Sequence, residues 1–231
     1  VDYQNIRTNG IIALTLREDD ELIVVGVTDG TKDVILGSSN GNAIRFNETD
    51  ARSMGRTAMG VKGMNIKDTD SIIGGAVIDS NEDEVLVVTE RGYGKRTSAA
   101  EYRPQNRGGK GVKTINITDK NGVPKALRVV SVDDDIIAVT NKGIVIRTAI
   151  EQIAKTGRAT QGVRVINLRK DNEVATIAIV PKDEKEDEEV LNETTVTQEQ
   201  LDLGNNEKQV KELEPVEEET TEVTTKDLFE E

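Results

Sequence analysis

The chain has 231 residues, of which 30 are Lys or Arg and 43 are Asp or Glu, and it contains no His, Cys or Trp; this excludes an imidazole general base, a thiolate nucleophile, a disulfide framework and a His/Cys zinc site. Its five aromatic residues, Tyr3, Phe46, Tyr93, Tyr102 and Phe229, are too few for a platform that stacks single-stranded bases one by one. With no apolar run near the roughly 18 residues of a membrane span and no signal-peptide succession at its start, the chain reads as soluble and cytoplasmic, without a membrane partner, and, lacking an initiator Met, as part of something longer.

The net charge of −13 is unevenly placed. Residues 182–231 hold 19 acidic and 5 basic side chains, whereas residues 1–181 hold 24 acidic and 25 basic. The acidic stretch is rich in Thr and Glu and has no sustained apolar period, so it reads as a disordered tail. Tethered to the body, it is expected to compete with other polyanions for any basic surface there.

In chain order, residues 1–32 read as the end of one repeat copy, because NGIIALTLREDDELIVV parallels MGVKGMNIKDTDSIIGG further on. Three copies follow at 33–83, 84–134 and 135–181. Gly41, Gly92 and Gly143 recur every 51 residues, and the same shift relates Gly60, Gly111 and Gly162. The first copy runs DVILGSS, GNAIRF, GVKGMNI and SIIGGAVI; the second matches it with EVLVVTE, GYGKRT and GVKTINI, and the third with DIIAVTN, GIVIRT and GVRVINL. Val and Ile dominate these runs, Gly or Asn marks the breaks, and no helix-period stretch of 10 or more residues occurs before the tail. A period near 50 made of about four strands is the signature of an all-β, propeller-type blade array. Gly41, Gly92 and Gly143 fall in expected hairpin turns, where a positive φ favours glycine.

Three phases of the repeat are basic in every copy: Arg45, Arg96 and Arg147; Arg56, Arg107 and Arg158; Lys62, Lys113 and Arg164. Protection of a sheet edge accounts for one such phase. Three together, in a charge-balanced body, predict a basic track around the rim of the array that suits sequence-independent contact with duplex phosphates. Carboxylate pairs such as Asp19 with Asp20, or Asp133 with Asp134, fall in polar turn-like runs and read as solvated turns, not as an active site.

One loop departs from its siblings. Where the first copy has MGRTAMG and the third TGRATQG, the middle copy has QNRGGKG, Gln105 to Gly111. Arg107 and Lys110 flank Gly108 and Gly109, so that cations and unobstructed backbone amides can close on a phosphate. The loop lies outside the G-x-x-x-x-G-K-[ST] nucleotide pattern, since Gly111 and Val112 follow Lys110.

At this phase of a β repeat, QNRGGKG resembles the box motif Q-[R/K]-R-G-G-[R/K]-G of the DNA gyrase C-terminal domain family. Gln105, Arg107, Gly108, Gly109, Lys110 and Gly111 match the motif and Asn106 does not. GRTAMGVKGM, ERGYGKRT and GRATQGVRVINL also look like blades of that family, and the resemblance covers residues 1–181. It implies a β-pinwheel, a propeller-like disc in which a strand passes between neighbouring blades, with this chain supplying the C-terminal part of the array and the principal box lying upstream of Val1. It further implies that duplex DNA wraps the basic perimeter, so that an ATP-dependent type II topoisomerase of composition A2B2 introduces negative supercoils. In that assembly ATP belongs to the gyrase B chain, and the magnesium site and nucleophilic Tyr lie in other parts. The chain itself is expected to hold no cofactor and no catalytic residue. The C-terminal domain of the corresponding topoisomerase IV chain is similar, and a kelch-like propeller that binds protein partners is the alternative from another class.

Overall fold

The computed structural model describes residues 8–169 and 171–181. The acidic tail expected at 182–231 lies outside the described residues. The Val- and Ile-rich runs of the first two copies form β1 (Asp33–Ser38), β2 (Asn42–Asn47), β3 (Ile72–Ile78), β4 (Glu84–Thr89), β5 (Tyr93–Ser98), β6 (Val112–Lys113) and β7 (Pro124–Val130). The third copy supplies β8 (Asp135–Thr140), β9 (Val145–Ala149), β10 (Val163–Arg164) and β11 (Val174–Val180). Among the described residues the helical structure is limited to single 3-10 turns at Glu48–Asp50, Ala99–Glu101 and Ile150–Gln152.

Each copy starts with a hairpin. The amides of Gly41, Gly92 and Gly143 donate to Ser38, Thr89 and Thr140 at 3.0 Å, and the three glycines have φ of +82°, +76° and +75°. This is the three-residue hairpin loop that ends in a left-handed residue. Gly41 and Gly92 also receive backbone from the next copy: Thr114 and Ile115 donate to Gly41 O, and Val165 and Ile166 to Gly92 O. A Cβ at Gly92 would lie 2.5 Å from Ile166 O, so the close approach requires glycine independently of φ.

The sheets exchange strands. β6, coded in the second copy, pairs with β2 through Asn42↔Lys113 and Ala43↔Val112, and β10, coded in the third, pairs with β5 through Val163↔Gly94 and Arg164↔Tyr93. The resulting antiparallel orders are β3-β1-β2-β6, β7-β4-β5-β10 and β11-β8-β9. About four strands per unit is therefore reached in the first two sheets by borrowing the outer strand from the following copy. Residues 8–32 contain no strand; Val24, Val25 and Gly26 line a cleft with Leu36, Gly75 and Val77 of the first sheet.

Stacking of the sheets explains the burial pattern. Val85, Leu86, Val87 and Val88 of β4 are all at most 1% exposed, because the middle sheet is covered on both faces. Val85, Val87 and Leu127 pack with Ile35, Ala43 and Ile78 of the first sheet. Leu86 and Val88 pack with Ile136, Ala138 and Ile177 of the third. β8, covered on one face, returns to alternation, with Ile136 and Ala138 buried and Ile137 and Val139 partly exposed. Burial of apolar area between sheets is the main stabilising contribution, at about 25 cal/mol per Å².

Candidate nucleic-acid interface

The three basic phases have three different fates. The first does not reach the surface as expected. Arg45 is 7% exposed and Arg96 8%. Arg45 Nε donates to Asp33 Oδ2 at 2.7 Å, and its Nη1 to Asn81 Oδ1 at 2.8 Å and Ala99 O at 2.9 Å. Arg96 Nε donates to Ile153 O at 2.7 Å and Nη1 to Glu84 Oε2 at 2.7 Å. Both guanidinium groups thus join one copy to the next, and neither can meet a phosphate. Arg147 keeps the intrasheet partner, Asp135 Oδ2 at 2.6 Å, yet its side chain is 57% exposed.

The second phase is half-buried and faces the preceding copy. Arg56 Nη1 donates to Ile12 O at 2.9 Å, Arg107 Nη1 to Lys62 O, and Arg158 Nη1 to Lys113 O at 2.9 Å. Arg107 Nε also reaches Asp50 O at 3.2 Å, and the Arg158 guanidinium lies 5.9 Å from the centroid of the buried Tyr102 ring.

The third phase is where cations are free to meet solvent: Lys62, Lys113 and Arg164 are all exposed. Lys62 and Lys113 reach no acidic partner among the described residues, only the amide oxygens of Asn65 and Asn116, at 3.3 and 3.5 Å. Arg164 lies over Tyr93, its Cζ 5.6 Å from the ring centroid, with Lys120 Nζ on the same ring at 5.8 Å. The Arg164 hydrogen bond, together with the charges of Arg164 and Lys120, holds the Tyr93 hydroxyl below the usual phenol range against the opposing effect of desolvation.

The Gly-rich loop lies across the first copy. Gln105 N donates to Arg45 O at 2.8 Å, Gly108 N to Gly63 O at 2.7 Å, and Asn65 N to Gly109 O at 2.8 Å. Gly108 and Gly111 have φ of +81° and +74°, and a Cβ at Gly111 would meet Ala43 O at 2.4 Å. Several loop amides and carbonyls are thus engaged with protein, and Lys110 is the loop cation that is exposed. Lys110 shares a cleft with Asn40, Asn42, Asn65 and Lys67. Gln105 is half-buried, with Oε1 4.0 Å from where a Cβ of Gly109 would lie.

Lys95 was not among the expected site residues. Its side chain is fully buried and Nζ donates to Gly157 O at 2.6 Å and Arg158 O at 2.5 Å; burial pulls the ammonium down to about 8. The residues 51 positions away on either side are Ile44 and Ile146, and a cation in an apolar phase was the available signal.

Fold and site together define a strand-exchanging β-blade array that presents exposed cations at one recurring position. The family model for the DNA gyrase C-terminal domain, β-propeller, matches residues 1–29, 32–79, 83–123 and 134–181. The chain belongs to that family, and the kelch-like alternative is set aside. Similar curated proteins include the DNA gyrase A protein of Staphylococcus aureus strain MRSA252, 47% identical over 189 residues, and that of strain NCTC 8325, 48% identical over 188. These alignments take in 81% of this chain and 21% of each relative, so the chain spans about a fifth of their length. Among solved structures, the C-terminal domain of DNA topoisomerase IV aligns with TM-score 0.72 and 27% identity over 78% of this chain and 56% of that one. The DNA gyrase A C-terminal domain aligns with TM-score 0.67 and 26% identity over 74% and 58%. The backbone comparison leaves both topoisomerase domains close; the sequence relatives favour gyrase.

Proposed function

We propose that this chain binds duplex DNA through its exposed third-phase cations and, within a gyrase A protein, wraps that DNA so that an ATP-dependent A2B2 type II topoisomerase in the cytoplasm introduces negative supercoils. The observation that carries this reading is the recurrence of Lys62, Lys113 and Arg164, each exposed and each two residues after a loop glycine, Gly60, Gly111 or Gly162. Lys110 adds a fourth exposed cation beside the middle loop. Such a row neutralises phosphates without reading bases. ATP and magnesium would be held by other parts of the assembly, with no step of the chemistry on this chain.

The experiment is a titration of a labelled duplex with the chain at several salt concentrations. Four phosphate contacts give a log-log slope near about −4, with no preference between sequences of equal length. Binding that does not respond to salt overturns the reading. The same row in a topoisomerase IV protein is the second reading, favoured by the TM-score of 0.72.

A further inference from the structure

The exposed lysines at the candidate DNA face are held by arginines from the next copy, and the relation recurs. Arg107 donates to the carbonyl of Lys62, and Arg158 donates to the carbonyl of Lys113 at 2.9 Å. In both cases the bonded carbonyl belongs to the residue whose side chain is exposed. The same segments are tied a second time, by Asn65 N to Gly109 O at 2.8 Å and Asn116 N to Thr160 O at 2.9 Å. Beneath Lys113, Thr114 Oγ1 meets the buried Tyr102 hydroxyl at 2.6 Å, and the Arg158 guanidinium lies over that ring.

We infer that Arg107 and Arg158 are positioning residues for Lys62 and Lys113: each clamps the backbone of the lysine in the preceding copy and so fixes where its ammonium meets a phosphate, without touching DNA itself. The inference rests on the reading of the third phase as the DNA face. A guanidinium suits the task because its planar fork serves several acceptors at once; Arg107 spans Asp50 O and Lys62 O. A lysine in its place keeps the charge and loses the fork. The chain also contains its own control. Arg56 makes the equivalent bond, 2.9 Å to Ile12 O, but the clamped residue is an exposed isoleucine, 76% accessible, with no charge to position.

Duplex affinity of the full chain across salt, together with amide hydrogen exchange, tests the assignment. K62A and K113A should each weaken binding about five- to tenfold near 0.1 M salt and flatten the log-log slope by about 0.9. R107K and R158K, although charge is retained, should weaken binding at least threefold and speed exchange at Asn65 and Asn116 respectively. R158K combined with K113A should bind as K113A alone does, and R56K should stay within twofold of the parent. Direct phosphate contact predicts the opposite: R107K and R158K close to the parent, or a double variant whose losses multiply. Either result overturns the positioning role. Should K62A and K113A bind as the parent does, the DNA face itself is misplaced. The exchange arm then judges the clamp separately, since unaltered Asn65 and Asn116 amides in R107K and R158K would remove it as well.

Discussion

Glu84 is held between two cations from different copies: Oε2 lies 2.7 Å from Arg96 Nη1, and Oε1 lies 2.7 Å from Lys155 Nζ. Burial alone would raise its pKa, but the Lys155 hydrogen bond and the Arg96 charge outweigh this and hold the carboxyl below the usual range. A folded pKa below the unfolded one contributes stability above roughly pH 4.3, lost as pH falls through the folded value. E84Q should therefore cost about 2 kcal/mol at pH 7, and its difference from the parent should shrink below about pH 4. Urea unfolding at pH 7 and pH 3.5 checks both parts.

The first basic phase makes the cost of losing an arginine depend on the copy. Arg96 is enclosed by Glu84, Ile153 O and Glu151 O, so R96M should destabilise by at least about 2 kcal/mol, because it leaves Glu84 with Lys155 as its remaining cation and takes the donor from two carbonyls. R147M removes an exposed partner of Asp135 and should cost at most about 1 kcal/mol. Comparison of urea midpoints at equal m-values decides it; equal losses would contradict the inter-copy role of Arg96.

A similar asymmetry separates two glycines of equivalent phase. An added Cβ at Gly143, with φ +75°, meets nothing within 4 Å, whereas at Gly92 it lies 2.5 Å from Ile166 O. G143A should cost the left-handed penalty of about 1 to 2 kcal/mol. G92A should cost more than that, and faster exchange of the Val165 and Ile166 amides, both bonded to Gly92 O, should report where the junction opens.

Lys95 links stability to alkaline pH. With its folded value near 8 and an unfolded value near about 10.4, the unfolded chain binds more protons between these limits. Stability therefore rises with pH across that window. K95M, which matches the apolar phase set by Ile44 and Ile146, should lack this rise and should be no less stable than the parent at pH 7, as apolar replacement of a buried charge often is. Melting temperatures at pH 7, 9 and 10 for both proteins test the sign.

Much of the architecture is legible in the sequence because the repeat is strict. The 51-residue spacing of Gly41, Gly92 and Gly143 marks turns whose φ is positive in every copy, and a turn is a local property. The burial of Arg45 and Arg96 is not legible in the same way, since residue type gives charge and not depth. A clue is present in Asp33, Glu84 and Asp135, which also recur every 51 residues and supply the carboxylates for Arg45, Arg96 and Arg147. A cation and an acid that keep the same separation in every copy are better read as a pair than as two surface charges. The pairing of Val112–Lys113 with β2 joins residues far apart in sequence, and neither local composition nor period specifies such a partner.

The exchange of β6 and β10 also sets an order for folding during synthesis. Because chains emerge from the N-terminus and domains begin to fold as they appear, the hairpin β1–β2 and strand β3 can pair as soon as residue 78 is free. The outer side of β2 is nevertheless uncovered until residues 104–113 follow, Pro104 and Gln105 against Arg45 and then Val112 and Lys113 against Ala43 and Asn42. The same delay recurs one copy later, when β5 waits for residues 154–156 at Arg96 and then for Val163 and Arg164. A nascent chain of this kind carries an unpaired edge that moves along with synthesis, and an unpaired edge is open to aggregation. A ribosome that stalls between Ile78 and Pro104 would therefore leave the first sheet exposed at β2, so translation speed through that interval bears on the yield of folded protein.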